Sequence, residues 1–178
     1  PERFSREQLK IITNIHEQFA RLSTTSLSTR LKSTALISLN KVDQLSFGEF
    51  MNTVKPPTAI AILNIEPLGN AIIEMDSLTS FSIIEKLYGS GINDIPRIKR
   101  NITELEQHLI SDIISALISN LSTAWLFLTN LKPRLSHIET NTNIVQTINP
   151  NEMIILITFK VNIGNNEGYM NLCIPSIA

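Results

Sequence analysis

The sequence contains an internal repeat that constrains its fold more than any other feature. Two long stretches with helical periodicity, about residues 4–31 and 103–128, align when the first is shifted by 99 positions, which places Ile11 on Ile110. Each stretch is followed by segments in which apolar and polar residues alternate, as they do in β-strands. The period is far longer than the roughly 20–50 residues of a solenoid unit. The repeat therefore predicts a pseudo-twofold domain built from two similar halves.

The order of the remaining segments indicates an α+β fold. Strands from both halves are expected to form one mostly antiparallel sheet, with the two long helices and shorter helices packed on it. The predicted strands cover about residues 35–42, 58–65, 70–75, 132–146, 152–162 and 168–175, and the short helices cover about residues 46–52 and 78–88. The 178 residues are predicted to form a single domain, with halves at about 1–88 and 102–178 joined by the loop 89–101.

Charge and composition exclude several function classes. A net charge of −1 gives the chain no general attraction to nucleic acid or to an anionic membrane. The cluster Arg97, Lys99 and Arg100 is expected to be a solvated connector, because three phosphate contacts would give only weak nucleic-acid affinity. No apolar run approaches the roughly 18 residues of a membrane span, so direct membrane insertion is not expected. The single cysteine, Cys173, excludes an internal disulfide and is predicted to be a small buried strand residue.

The residue types that bind metals or act as nucleophiles are too scattered to predict a site. His16, His108 and His137 show no ligand spacing, and the two histidines on predicted helices are expected at polar surface or interface positions. The sequence has no glycine-flanked serine elbow and no phosphate-binding loop. Glu104 and Glu106 begin a helix, where carboxylates favour the helix dipole. The sequence therefore predicts no catalytic residue, no metal and no cofactor.

The segment between the halves carries two glycines and two apolar residues. Gly89 and Gly91 follow a predicted helix that ends at Tyr88. One interpretation is a helix C-cap followed by a turn, for which glycine suits the backbone. The other is a loop that a partner protein approaches closely, with Tyr88 and Ile92 as apolar contacts. The residue pattern alone leaves both interpretations open.

Several segments of the chain match a known family. In chain order they include RFSREQL (3–9), IHEQFARL (15–22), VDQL (42–45), IEPLGNA (65–71) and TELEQ (103–107). Their content and order resemble the middle domain of the FliM family of flagellar motor switch proteins. The resemblance implies a pseudo-symmetric CheC-like fold, shared with the CheC-type phosphatases. It also implies a non-enzymatic structural and signalling role in the cytoplasmic switch ring (the C-ring), peripheral to the inner membrane at the flagellar basal body. There the domain would pass the chemotaxis signal to the rotor and set the direction of rotation.

The resemblance also implies protein partners. FliM contacts the middle domain of FliG through a Gly-Gly-x-Gly motif between its two halves. This chain has serine in place of the second glycine, and the final glycine of the motif is either absent or displaced. The corresponding residues here are Tyr88, Gly89, Ser90, Gly91 and Ile92. Neighbouring FliM subunits in the ring pack through their long helices, where Glu17 and Arg21 are either interface residues or ordinary solvated positions. FliN and phosphorylated CheY are bound by the family mainly through flanking segments that this chain does not include.

The alternative function that the resemblance raises is a CheC-type phosphatase acting on a phosphorylated response regulator. Such phosphatases carry a glutamate on each long helix, followed three residues later by an asparagine that helps to position water. The first helix has Ile11 in the acidic position and Asn14 in the amide position, and the 99-residue shift gives Ile110 and Ile113 on the second. Isoleucine cannot orient water, so phosphatase activity is not expected.

Overall fold

The computed structural model of the chain describes residues 4–89 and 100–176. The α+β class predicted from the sequence is confirmed. The elements in chain order are α1 (Arg6–Leu31), β1 (Ala35–Ser46), α2 (Phe47–Met51), β2 (Thr58–Glu66), β3 (Gly69–Asp76), α3 (Ser77–Tyr88), α4 (Glu104–Trp125), β4 (Lys132–Glu139), β5 (Met153–Ile163) and β6 (Asn166–Pro175). Within the described ranges, no helix has both the length and the apolar character that crossing a membrane requires.

The six strands form one antiparallel sheet in the order β1-β5-β6-β3-β2-β4. Each strand has a counterpart in the other half: β4 for β1, β5 for β2 and β6 for β3. When every strand is replaced by its counterpart, the order reads the same from the opposite edge of the sheet. A pseudo-twofold axis therefore passes between the two central strands, β6 and β3. The outer strand of each half pairs with the other half, β1 with β5 and β4 with β2. The two halves are therefore interlocked through backbone hydrogen bonds, and the sheet would have to break for them to separate.

Capping boxes fix where both long helices begin. The Ser5 hydroxyl accepts a hydrogen bond from the Gln8 backbone N–H, and the Gln8 side chain accepts one from the Ser5 N–H. Thr103 and Glu106 form the same reciprocal pair at the start of α4. Both boxes satisfy N–H groups that a helix start leaves unpaired. The equivalent residues of the two boxes are 98 positions apart.

The buried faces of the two helices follow the same offset of 98. In α1 the residues are Ile12, Ile15, Phe19 and Leu27, their counterparts in α4 are Ile110, Ile113, Leu117 and Trp125, and all eight are buried. The 99-residue alignment expected from the sequence is therefore wrong by one position. Ile11, which that alignment pairs with buried Ile110, is 39 % exposed. Apolar residues that recur every three or four positions allow both registers, so the apolar pattern alone could not choose between them.

The long helices run antiparallel over one face of the sheet and enclose the larger core. Near one end of the pair, the Trp125 indole N–H donates to Nε2 of His16 over 3.3 Å. Nearer the other end, the Asn120 amide donates to the Ser26 hydroxyl over 3.0 Å. Strand residues with Ile157 and Phe159 at their centre fill the space beneath the helices.

The structure contradicts the expectation that His16 lies at a polar surface or interface position. The imidazole is fully buried, and its Nδ1 lies 2.7 Å from the carbonyl oxygen of Ile12. An Nδ1–H tautomer donates to that carbonyl and leaves Nε2 to accept from Trp125. Burial lowers the pKa of His16 to about 4, although the hydrogen bond to Ile12 raises it in part. His16 is therefore a neutral core residue, whereas His108 is exposed as expected.

The other face of the sheet has a smaller core covered by α2. Phe47 and Phe50 of α2 pack with strand residues that include Ile60 and Ile72. Cys173 belongs to this core and is fully buried, which confirms its predicted place in a strand. Burial also raises the pKa of the Cys173 thiol, so this cysteine is unreactive.

A buried carboxyl group lies on the same face, beside the pseudo-twofold axis. Glu74 of β3 is directly opposite Asn171 of β6, whose amide donates to Oε1 of Glu74 over 2.9 Å. The Thr58 hydroxyl faces both Oε2 of Glu74 and the carbonyl oxygen of Met75. A hydroxyl has one proton, so Thr58 cannot donate to both oxygens at once. When Glu74 is protonated, it can donate to the Thr58 oxygen while the Thr58 hydroxyl donates to the Met75 carbonyl oxygen. Burial raises the pKa of Glu74, while the hydrogen bonds from Thr58 and Asn171 lower it in part.

Two strand ends differ by more than two residues from those predicted. β1 continues past residue 42 to Ser46, because it pairs with β5 along its whole length through an irregularity between Leu39 and Lys41. The strand expected at 132–146 ends at Glu139, whose carboxylate accepts the backbone N–H groups of Thr140 and Asn141. A 3₁₀ turn, Thr142–Ile144, follows.

Candidate functional site

The candidate site begins where α3 ends. Gly89 has φ 68° and ψ 29°, a left-handed conformation, and its N–H donates to the carbonyl oxygens of Glu85 and Lys86. The predicted helix C-cap is therefore present. A Cβ atom placed on Gly89 would meet no atom within 4 Å, and the neighbouring Tyr88 side chain is 52 % exposed. The cap thus needs the glycine backbone but leaves open space outside it, so both interpretations of this glycine are compatible with the geometry.

The other residues expected in the partner-binding loop lie outside the described part of the chain. They are Ser90, Gly91 and Ile92, together with Arg97 and Lys99 of the same predicted connector. The described chain resumes at Arg100.

Arg100 is exposed, yet it is also tied to Glu106 in the second half of the domain. Its guanidinium donates to both carboxylate oxygens of Glu106, over 2.7 and 3.0 Å, and lies 4.8 Å from the centroid of the Phe81 ring. Glu106 also accepts the Thr103 N–H at the start of α4. The hydrogen bond from Arg100 lowers the pKa of Glu106, and the same bond raises the pKa of Arg100. One carboxylate therefore caps α4 and ties Arg100 to it.

A surface depression of about 570 Å³ lies beside Tyr88 and Gly89. Its lining residues are Arg30, Leu31, Lys32 and Ser33 from the end of α1, and Lys86, Leu87, Tyr88 and Gly89 from the end of α3. Three of these eight residues are basic, and none of the described lining residues is acidic. Sequence reasoning missed this site, because the two helix ends that form it are more than 50 positions apart in the chain.

The positions aligned with phosphatase residues need correction. Ile110 and Ile113 are buried core residues, at 1 % and 2 % exposure, and the offset of 98 places them opposite Ile12 and Ile15. The counterparts of exposed Ile11 and Asn14 are instead Leu109 and Asp112. Neither pair has a glutamate in its first position. Among the described residues, no group of three or more His, Cys, Asp or Glu could hold a metal ion.

The exposed surface of the long helices contains polar and apolar residues. Glu17 and Arg21 are both exposed on α1, one helical turn apart. At the end of α4, the side chains of Leu126, Phe127 and Leu128 are 62 %, 71 % and 48 % exposed. These three residues lie at the same end of the helix pair as His16, because Trp125 contacts His16.

Comparison with known sequences gives consistent matches. Residues 5–178 match the family model described as flagellar motor switch protein FliM. The chain is 41 % identical to the FliM protein of Borreliella burgdorferi over 178 residues, and 39 % identical to that of Treponema pallidum over 178 residues. These alignments cover 99 % of this chain, but 51 % and 52 % of those two proteins. The chain thus spans about half the length of these relatives.

Comparison with solved structures agrees with the sequence matches. A chain of the FliG–FliM complex from H. pylori superimposes with a TM-score of 0.91 and 28 % identity, covering 97 % of this chain and 94 % of that one. The FliM middle domain from Vibrio alginolyticus gives 0.81 and 26 %, with 93 % of each chain covered. A CheC-like protein from Shewanella gives 0.60 at 11 % identity, over 92 % of this chain and 98 % of that one. That last similarity extends to the fold alone.

Proposed function

The chain belongs to the FliM family of flagellar motor switch proteins, and we propose that it is a non-enzymatic domain of the motor switch complex that binds FliG. One observation carries the proposal. Over 97 % of its length the chain is similar, at 28 % identity and a TM-score of 0.91, to a chain crystallised in a FliG–FliM complex. The rest of the family protein lies outside this chain, so its other partners belong to the proposal as well.

The end of α3 is the proposed centre of FliG binding. Tyr88 offers an exposed aromatic ring, and the space outside Gly89 lets a partner backbone come close. The residues that follow, Ser90, Gly91 and Ile92, would complete the contact, as the family motif implies. Ser90 in place of the second glycine of that motif would change how closely the FliG backbone approaches, but the position of the loop in the sequence would stay the same.

The mechanism would be conformational. A signal that favours one arrangement of the ring can shift the domain only through contacts that differ between the two states. Because β1 and β4 each pair with the opposite half, a displacement at the long helices would carry the whole sheet with it. The end of α3, which is anchored in the same unit, would pass that displacement to FliG in the rotor and so set rotation direction.

Neighbouring copies in the ring are the second proposed partner. Glu17 and Arg21 are exposed on α1 and would contribute polar contacts to such an interface. Single exposed ion pairs contribute only about 0–1 kcal/mol, so this contact is expected to be weak between isolated domains. A domain with these partners would work in the cytoplasm at the flagellar basal body. FliN and phosphorylated CheY would be bound mainly by other segments of the protein.

The phosphatase alternative is disfavoured by the residues in the corrected register. The acidic position is occupied by Ile11 on α1 and by Leu109 on α4. Asn14 and Asp112 remain exposed, but neither has the glutamate that the phosphatase pattern places three residues before it. A carboxamide or carboxylate alone cannot supply both members of that pair. We therefore expect no phosphoryl release from a phosphorylated response regulator.

Calorimetric titration of the domain with the FliG middle domain of the same organism tests the proposal. We expect saturable, weak binding that Gly89→Asp reduces, because the new side chain enters the proposed contact. Asn165→Asp is the matched control, since it adds the same charge at an exposed turn between β5 and β6. Circular dichroism should show both variants folded, although aspartate in the left-handed conformation of residue 89 costs roughly 1 kcal/mol of stability. Equal binding by wild type and Gly89→Asp would refute the proposed contact, and no binding by wild type would refute FliG binding itself.

A further inference from the structure

We propose that the depression between the ends of α1 and α3 binds an acidic segment of FliG, an inference that rests on the function proposed above. The depression adjoins Tyr88 and Gly89, so a partner seated at the end of α3 would reach it without a separate interface. Binding in the depression would add an electrostatic contact to the one at Tyr88 and Gly89, and the matching surface of the partner would be acidic.

The depression is lined by basic residues, and two of them have no ionic partner among the described residues. Arg30 and Lys32 are exposed, and neither forms an ion pair with any residue in the described ranges. Lys86 lines the same depression from α3. Arg30 and Lys32, which no described carboxylate pairs with, create a positive potential that attracts and orients an acidic partner.

The helix ends that meet here reduce this potential but do not reverse it. A helix C-terminus carries about half a negative charge, which would repel a carboxylate. The two full positive charges of Arg30 and Lys32 exceed the two half charges of α1 and α3. The helix-end carbonyls are also capped, by the backbone N–H of Lys32 on α1 and that of Gly89 on α3. Carboxylates that enter the depression would therefore meet a net positive surface.

The backbone at Lys32 is a further sign of a role beyond folding. Lys32 has φ 50° and ψ 43°, and it is the one residue other than glycine with positive φ in the described chain. A side chain in this conformation costs roughly 1 kcal/mol relative to glycine, which is the usual residue at such a helix end. A lysine here gives up that stability and places an exposed ammonium group at the edge of the depression.

The test combines charge reversal with salt dependence in the same FliG titration. The variant is Arg30→Glu/Lys32→Glu, and the matched control is Lys10→Glu/Lys55→Glu, which makes the same change in net charge at exposed positions outside the depression. We expect the first pair to weaken binding by about tenfold or more at 0.15 M salt and the control by less than about threefold. Raising the salt to about 0.5 M should weaken wild-type binding and bring it towards that of the variant.

The outcomes separate this inference from the function on which it rests. If wild type binds FliG and Arg30→Glu/Lys32→Glu binds it as tightly as Lys10→Glu/Lys55→Glu does, the depression does not hold an acidic segment, while FliG binding stands. The same conclusion follows if wild-type binding is insensitive to salt. If wild type does not bind FliG at all, the proposed function and this inference both fail. Circular dichroism of the variants should show an intact fold, because Arg30 and Lys32 are exposed and form no ion pair with the residues that the structure describes.

Discussion

His16 should make the stability of this domain fall as the pH drops below about 6.5. In the fold its pKa is lowered to about 4, chiefly because the ring is fully buried. In the unfolded chain its pKa returns to about 6.5. Between these values the unfolded chain binds a proton that the folded chain does not. The stability that depends on neutral His16 is therefore complete above pH 6.5 and is lost as the pH falls towards 4.

The size of the effect follows from the two pKa values. A difference of one pKa unit corresponds to about 1.36 kcal/mol. The difference between the pKa of His16 in the unfolded chain and in the fold therefore corresponds to about 3 kcal/mol of folding stability. At pH 5 the folded ring is still mostly neutral, and the loss should be about 2 kcal/mol. The physical origin is local, since a protonated Nε2 could no longer accept from the Trp125 indole N–H.

The assay uses the same contact as its reporter. Trp125 is the single tryptophan of the chain and is 1 % exposed, so its fluorescence should follow unfolding in urea. We would measure the free energy of unfolding at pH 8 and pH 5 for wild type and for His16→Gln. Glutamine keeps a donor and an acceptor but does not titrate. The wild type should lose about 2 kcal/mol more than the variant between the two pH values.

Comparison with the variant removes the effect of other titrating groups. Glu74 changes stability in the opposite direction, and it is present in both proteins. Parallel pH profiles for wild type and His16→Gln would refute the reasoning. They would mean that the folded protein accepts the proton at His16 as readily as the unfolded chain does.

Three further predictions concern other parts of the molecule. Glu74→Gln should leave the free energy of unfolding unchanged or raise it at pH 8. The raised pKa of Glu74 means that wild type loses stability as the pH rises above about 4.5. A marked decrease in the free energy of unfolding of the variant in urea at pH 8 would contradict this. Arg100→Ala should lower the free energy of unfolding by about 1 kcal/mol, a small value because the side chain is 54 % exposed. A double-mutant cycle with Glu106→Gln should assign most of this loss to the ion pair between Arg100 and Glu106. In a phosphoryl-release assay the domain should show no turnover of a phosphorylated response regulator, and detectable turnover would show that Leu109 and Ile11 do not prevent catalysis.

The local sequence predicted the elements well because each carried its own signals. Ser5 with Gln8 and Thr103 with Glu106 are capping boxes that the sequence shows directly, and both helices begin there. Alternating apolar residues mark the two strands of the last hairpin, and Gly164, which has positive φ, lies in the turn between them. The fold class followed from the order of these elements.

The register between the two halves was missed, although a signal for it was present. The helical stripe tolerates a slip of one residue where a second apolar residue adjoins a buried one, as Ile11 adjoins Ile12. The capping boxes do not tolerate such a slip. Their spacing of 98 residues would have identified Leu109 and Asp112 as the counterparts of Ile11 and Asn14. A periodic pattern was therefore weaker guidance than a pair of specific hydrogen bonds.

Features that depend on distant contacts had no local signal. Nothing beside His16 in the sequence indicates that Trp125, 109 positions away, would cover it. The pairing of β1 with β5 is equally nonlocal. The basic depression could not be predicted either, because its cations come from the ends of two helices that meet only in the folded domain.

Amide hydrogen exchange of the domain, alone and in complex with the FliG middle domain, tests the central claim most directly. It needs no substitution and reports which backbone segments a partner covers. Binding through the end of α3 should slow exchange in the last turn of α3 and at Gly89, and a partner in the depression should also slow exchange at Lys32 and Ser33. Slowed exchange confined to other surfaces, such as the β2–β3 turn, or no slowing at saturating FliG, would contradict the account.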